Sequence, residues 1–261
     1  HLKMEISESQ KALYAKEGYM IVPGYLNNAE LEAVRAACDQ SIWEIEEDMR
    51  SRGVDRDRIN VLDKKYFVLN PRKKQPALNE IVFGEKAAAV CKATIGDTAY
   101  LHNEQFVVKM MDTETSFAWH QDSGYSVYQG GAAIHKPYIT CWIALDDMSV
   151  ANGTISILPF SRAGSRDLVQ HVWVEEQNAM VGYQGEDPGD PVEVSAGTLV
   201  AFSSFLFHKS GANTTDRPRR SYFIAYTPEL FTYADQSKGV YSSADPLIIK
   251  GEKSNIKLTQ V

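Results

Sequence analysis

Phe117-Ala118-Trp119-His120-Gln121-Asp122 reads as a strand, three apolar residues leading into three polar ones. In extended backbone, residues i and i+2 share a face, so His120 and Asp122 project together while Gln121 points away. The flanking Phe117, Trp119 and Tyr125 suit a strand better than a helix. Farther along, Phe207-His208-Lys209-Ser210 follows the apolar runs Leu199-Val200-Ala201-Phe202 and Phe205-Leu206-Phe207. If its strand lies beside that of His120, two imidazoles and one carboxylate meet on one face. That donor set suits a mononuclear non-haem iron(II) centre and leaves about half of an octahedron open, enough for a chelating co-substrate and then O2.

A second strand bears on the same site. Arg217-Pro218-Arg219-Arg220-Ser221-Tyr222-Phe223-Ile224-Ala225-Tyr226 reads as a turn followed by strict alternation. Arg219, Ser221, Phe223 and Ala225 share one face; Arg220, Tyr222, Ile224 and Tyr226 share the other. Only one of the adjacent arginines can point inward with the metal. A guanidinium there needs a carboxylate partner, ideally bidentate, and the distal carboxylate of 2-oxoglutarate meets that need.

Outward from these strands, the pattern from Ala99 onward is one of short alternating segments and turn residues, the mark of an all-β sandwich or barrel. Helices precede it. Ser7 with Gln10 fits a capping box, and Ser9–Glu17 continues as a short helix ended by Gly18. Tyr19–Gly24 reads as a strand and turn. Asn27 or Asn28 caps a long helix reaching about Arg52, with Leu31, Val34, Cys38, Ile42, Ile45 and Met49 advancing by three or four. A third helix is expected over Ala77–Thr94. The stretch 163–196, with its Gly, Asp and Pro clusters, reads as an insertion carrying a loop near the pocket mouth.

Several motifs in fixed order now identify a resemblance. The chain resembles the phytanoyl-CoA dioxygenase (PhyH-like) family of Fe(II)/2-oxoglutarate-dependent oxygenases. It does so through Trp119-His120-Gln121-Asp122, Cys141-Trp142-Ile143-Ala144-Leu145-Asp146-Asp147, Ala151-Asn152-Gly153-Thr154, Leu158-Pro159-Phe160-Ser161, His208-Lys209-Ser210-Gly211-Ala212-Asn213 and Asp216-Arg217-Pro218-Arg219-Arg220. The series spans roughly residues 100–228. The fold it implies is mainly β with flanking helices, around a double-stranded β-helix (jelly-roll, cupin-like) core. The resemblance implies iron ligands at His120, Asp122 and His208 and a 2-oxoglutarate salt bridge from Arg219. It implies further co-substrate contacts from Gln105, Trp142 and Ser210. Two departures stand out: Arg162 where the family usually has histidine, and Lys209 where glycine is frequent. Relatives that halogenate replace the ligand carboxylate by a small residue. Asp122 is present, so hydroxylation, or another oxidation that starts from hydrogen abstraction, is implied.

The whole reads as one oxygenase domain over 4–261: a helical part about 7–95, a jelly-roll core about 99–228 and a C-terminal extension 229–261. His1-Leu2-Lys3 before Met4 reads as a leftover of expression. Apolar content of 44% and charged content of 23% are ordinary for a globular chain. A net charge of −7 argues against generic binding to nucleic acid or anionic membrane. Cys38, Cys91 and Cys141 are scattered, without metal or disulfide spacing, which fits a reduced, cytoplasmic setting. The expected partner is a small-molecule substrate; the competing reading is a metal-dependent cupin-type isomerase or a non-catalytic binding barrel, neither of which needs an inward arginine. His102 and His135 read either as bases or as pocket wall. Tyr125, Tyr128 and Tyr138 read either as the substrate entrance or as packing, and Arg72-Lys73-Lys74 as an anion site or a solvated loop. Glu46-Glu47-Asp48 reads as the wet face of the long helix.

Overall fold

The computed structural model of the chain describes residues 4–114, 116–241, 247–250 and 259–260. Residues 1–3 and part of the 229–261 extension lie outside them. Helix α1 (Glu8–Glu17) starts on a capping box, in which Ser7 Oγ accepts from the Gln10 backbone and Gln10 Oε1 accepts from the Ser7 amide. Asn27 and Glu30 cap α2 (Asn28–Ser51) in the same way. The buried stripe of α2 includes Leu31, Val34, Cys38, Ile42 and Met49, as their spacing requires. The helix expected over 77–94 is divided into a 3-10 turn (Pro76–Leu78), α3 (Asn79–Phe83) and α4 (Glu85–Thr94). Gly84 is the cause: it is extended between α3 and α4, where a Cβ would collide with the Glu80 carbonyl.

Strands β1 (Tyr19–Val22), β2 (Arg56–Asp57), β3 (Asn60–Val61), β4 (Lys65–Leu69) and β5 (Thr98–Lys109) precede β6 (Phe117–His120). After α5 (Asp122–Tyr128) come β7 (Ile139–Ala144), β8 (Ile155–Leu158) and α6 (Phe160–Ala163). Then follow β9 (Val172–Val174), β10 (Ala179–Val181), β11 (Asp190–Pro191), β12 (Leu199–Ser203), β13 (Phe207–Ser210), β14 (Arg219–Thr227), β15 (Leu247–Lys250) and β16 (Thr259–Gln260). The larger sheet runs β1-β12-β7-β14-β5-β4-β3-β2, with β15 and β16 added through β5. The smaller runs β11-β8-β13-β6, and β9 and β10 form a separate hairpin. Two facing antiparallel sheets of this kind make the jelly-roll.

The larger sheet is covered on both faces, so its central strands are continuous apolar runs rather than alternating ones. On β7, Cys141 and Ile143 join the helix-side core with Leu31, Val34 and Ala88, while Trp142 and Ala144 face the smaller sheet. On β14, Tyr222, Ile224 and Tyr226 join the helix-side core. Arg219, Phe223 and Ala225 open instead into the space between the sheets. The inside of the jelly-roll is therefore fixed by the alternation of two or three strands. No described helix is long and apolar enough to cross a membrane.

Candidate active site

Strand β13 pairs with β6 so that His208 lies directly opposite His120. The strand expected to run through Asp122 ends at His120, and Asp122 opens α5 instead. Gln121 between them is extended, at φ −102° and ψ 140°, so His120 and Asp122 still project to one side. Tyr125 is consequently helical rather than part of the strand. His208 Nε2 lies 3.2 Å and His120 Nε2 3.6 Å from Asp122 Oδ1, and one donor atom from each residue falls within 4.8 Å of the others.

Each donor is held from behind. His120 Nδ1 donates to the Ala118 carbonyl (2.7 Å) and His208 Nδ1 to that of Leu206 (3.2 Å), which leaves both Nε2 lone pairs turned toward Asp122. Thr140 Oγ1 donates to Asp122 Oδ2 at 2.7 Å. Burial alone would raise the Asp122 carboxyl, but His208 and His120 outweigh it and hold it well below the usual carboxylate range. Burial, then His208, lowers the His120 imidazole. An ionised carboxylate beside a neutral imidazole is the protonation state that binds a divalent metal. The donor set and its geometry fit iron(II).

Gln121 points away, as its place in the sequence requires, and is fully engaged. Its side chain donates to the Asp167 and Phe205 carbonyls and accepts from Val169, and its backbone N–H donates to His171 Nε2 at 2.9 Å. Gly124 lets α5 approach the same His171 ring, into which a Cβ would run. Thus 163–196 clamps the β6–α5 junction from outside. Among the described residues none of 163–196 lines the cavity itself, and the stretch supports the cavity wall from behind, with the Met180 backbone bonded to Tyr125, a residue that lines the cavity. The signal for it was present only as Gln121 and His171, two polar residues far apart in the chain.

Arg219 is the inward arginine. It is 2% exposed, its Nε is buried without a partner, and its guanidinium carbon sits 5.5 Å from the Trp142 ring. Burial lowers it to about 10. Arg220 instead reaches Asp146 through Nε (3.1 Å) and Nη2 (2.7 Å), and Asp39 through Nη1 (2.9 Å). Arg220→Ala is expected to cost about 1–3 kcal/mol of stability, because half-buried Asp146 loses both guanidinium contacts and keeps only the backbone N–H of residue 220. Co-substrate dependence should stay unchanged, as thermal unfolding beside a 2-oxoglutarate titration will show.

Gln105, Phe223 and Trp142 lie in one row across β5, β14 and β7, all on the cavity face. Ser210 also lines the cavity and accepts from Lys109 Nζ at 2.8 Å. Lys109 was not foreseen. It is 2% exposed, donates also to the Gly211 carbonyl, and stands opposite Arg219 in register. Burial, then the charge of Arg219, lowers its amine to about 6. The one sequence signal was a lysine inside the apolar run Phe106-Val107-Val108-Lys109-Met110-Met111.

These residues surround a cavity of about 480 Å³, a normal size for a small-molecule site. His102, Tyr125 and Tyr138 line it. His135 stacks on Phe231 with centroids 4.1 Å apart and meets Ser123 Oγ at 3.0 Å, and Tyr128 stacks on His171. Arg72 caps no ligand space of this cavity; its guanidinium lies 5.4 Å over Phe83. Glu46 departs from the solvated reading, since it accepts from Tyr66 Oη at 3.0 Å. Cys38, Cys91 and Cys141 are free and buried.

A jelly-roll whose two sheets bring two imidazoles, one carboxylate and a buried arginine to a common cavity defines the class of mononuclear non-haem iron oxygenases. The chain belongs to the phytanoyl-CoA dioxygenase (PhyH) family, whose model matches residues 14–221. It is similar to methylphosphonate hydroxylase of Gimesia maris, 24% identical over 237 residues that cover 85% of this chain and 80% of the relative. It is similar also to ectoine dioxygenase of Nocardia farcinica, 22% identical over 242 residues covering 85% and 78%. Among solved structures, EvdO2 from Micromonospora carbonacea var. aurantiaca complexed with 2-oxoglutarate shares the fold with a TM-score of 0.68, at 17% identity over 90% of this chain and 95% of that one.

Proposed function

We propose that the chain is an Fe(II)/2-oxoglutarate-dependent dioxygenase that hydroxylates a small molecule, with His120, Asp122 and His208 holding the metal. Arg219 receives the distal carboxylate of 2-oxoglutarate, and Gln105, Trp142 and Ser210 flank it. The observation that carries this reading is Arg219, a buried guanidinium that forms no ion pair among the described residues, facing the same cavity as the three donors. A barrel that only binds metal, or isomerises, has no use for that cation. When bound, iron with 2-oxoglutarate and O2 supplies the oxidation: the co-substrate is cleaved to succinate and CO2, and a substrate C–H bond is oxidised.

The remaining work belongs to the chain. The Ala118 and Leu206 carbonyls orient the two imidazoles, and Thr140 orients the carboxylate. Trp142, Phe202 and Phe223 exclude water around the donors. Lys109 acts as a positioning residue by holding Ser210. Lys109→Met is expected to raise KM for 2-oxoglutarate about fivefold, the equivalent of one lost hydrogen bond of ~1 kcal/mol, with kcat little changed. Initial rates at varied 2-oxoglutarate check this. Residues 4–261 form one oxygenase unit on this reading, and the three buried thiols suit a reducing cytoplasm. The direct test is oxygen uptake with succinate formation in a metabolite screen, dependent on Fe(II). Absence of 2-oxoglutarate turnover in iron-loaded, folded protein across the screen would favour the non-catalytic reading.

A further inference from the structure

Part of the cavity wall comes from the far end of the chain. After β14, residues 228–241 turn back across the loop that follows α5. Ala132 bridges Tyr233, the Ala133 N–H donates to the Thr232 carbonyl, and the Ala234 N–H donates to that of Gly131. The segment then closes on itself, with the Tyr241 N–H donating to the Phe231 carbonyl at 2.8 Å, and Tyr241 joins the cavity lining. Tyr241 lies beyond residues 14–221, the span matched by the family model. Its ring centroid is 5.7 Å from that of His102 and 5.1 Å from that of Tyr233. His102 reaches this wall through a bulge: between Ala225 and Tyr226 the register slips, which turns His102 and Asn103 both to the cavity.

The tyrosines of this wall present rings rather than hydroxyls. Tyr241 Oη bonds Ser126, Tyr138 Oη meets the same Ser126 Oγ at 3.4 Å, and the Tyr125 hydroxyl is bonded to the Met180 backbone, away from the cavity. Charge is scarce. Burial holds the His102 imidazole down at about 4, hence neutral. Besides Asp122 and Arg219, Lys209 is the one other Asp, Glu, Lys or Arg among the described lining residues, and its ammonium lies 4.8 Å over Trp119, which does not line the cavity. Ser126 stands one helical turn past Asp122 on the same face of α5, about 6 Å along the axis. Tyr241 is therefore fastened one turn beyond the metal ligand. Behind its hydroxyl lie the exposed Gly130 and Gly131. A Cβ on Gly130 would run into that hydroxyl, so the missing side chain is what lets the ring close the gap.

We propose that Tyr241 is a specificity-determining residue of the substrate site. Its ring closes the cavity one helical turn from Asp122 and limits the substrate group held there to a compact, uncharged, apolar one. A longer chain would have to displace the ring, and an anionic group would meet no free cation at this wall. The proposal rests on the oxygenase reading, which gives Asp122 to the metal and Arg219 to 2-oxoglutarate and leaves this end to the substrate.

Straight-chain primary alcohols from propanol to octanol test it, each titrated calorimetrically, without oxygen, into protein first saturated with Fe(II) and 2-oxoglutarate. In the parent, affinity is expected to rise about fourfold per methylene as far as pentanol and then to stop rising. In Tyr241→Ala the rise should continue, so that octanol binds at least about tenfold more tightly than to the parent. In Tyr241→Trp it should stop at a shorter alcohol, while Tyr241→Phe, which keeps the ring, should keep the parent's limit. Opposite shifts mark a ring that sets length, because a segment merely loosened by substitution would lengthen the limit in all three. If Tyr241→Ala does not fold, the other two variants decide. A parent series that rises through octanol, a limit unmoved in Tyr241→Ala, a longer limit in Tyr241→Trp or Tyr241→Phe, or no alcohol binding at all would overturn the proposal. If 2-oxoglutarate itself fails to bind in the first step, the oxygenase reading falls and takes this one with it.

Discussion

Asp122→Ala is expected to lower substrate-coupled turnover by about a thousandfold or more, corresponding to ~4 kcal/mol of lost transition-state stabilisation. The carboxylate is the only negative group among the described residues lining the cavity, and Oδ1 faces both Nε2 atoms. Its removal leaves two neutral imidazoles, a weaker and less discriminating site for a hard divalent metal. The fold should survive, because the groups left behind keep or can find other partners: both imidazoles stay bonded to the Ala118 and Leu206 carbonyls, and the Thr140 hydroxyl can turn to another acceptor. Metal content, thermal unfolding and succinate release measured on one preparation check this. Turnover within tenfold of the parent would remove Asp122 from the metal.

The second large effect concerns Arg219. Arg219→Ala is expected to raise KM for 2-oxoglutarate by about 30-fold or more, since truncating one member of a desolvated charge pair costs ~2–5 kcal/mol. Arg219→Lys should fall between, because an ammonium cannot make the bidentate contact. The ligand-free protein should respond in the opposite sense. There the guanidinium is buried with no ion pair among the described residues, and desolvation opposes its charge more than Asp146 supports it. Its deletion should leave ligand-free stability unchanged or higher, while the stabilisation added by 2-oxoglutarate disappears. Thermal unfolding with and without 2-oxoglutarate reads both effects. An unchanged shift on adding 2-oxoglutarate would dissociate Arg219 from the co-substrate.

Much of this arrangement was legible because it depends on local periodicity. The two faces of β14 follow from strict alternation, which separates Arg219 from Arg220 before any coordinates are known. The stripe of α2 and its Asn-Glu cap follow from spacing in the same way. The convergence of His120 and Asp122 was legible for a partly mistaken reason: the strand stops at His120, and a single extended residue, Gln121, does what a continued strand would have done. Breaks within elements were less visible. Gly84 divides α3 from α4 through one steric clash with Glu80, a contact that helical periodicity cannot report.

What the sequence could not show is long-range pairing. Lys109 gains its meaning from Ser210, Gly211 and Arg219, and Gln121 from Asp167, Val169, His171 and Phe205. Likewise, the bulge that turns His102 and Asn103 to the same side is a property of two strands in register, not of either alone.

The central claim is that His120, Asp122 and His208 hold iron next to a 2-oxoglutarate bound at Arg219. An anaerobic titration of metal-free protein with Fe(II) and 2-oxoglutarate tests it most directly, through the visible metal-to-ligand charge-transfer band that chelation produces. The band should appear in the parent, be lost in His208→Ala, and require much more 2-oxoglutarate in Arg219→Ala. No band in folded, iron-loaded parent protein, or a band unchanged by His208→Ala, would contradict it.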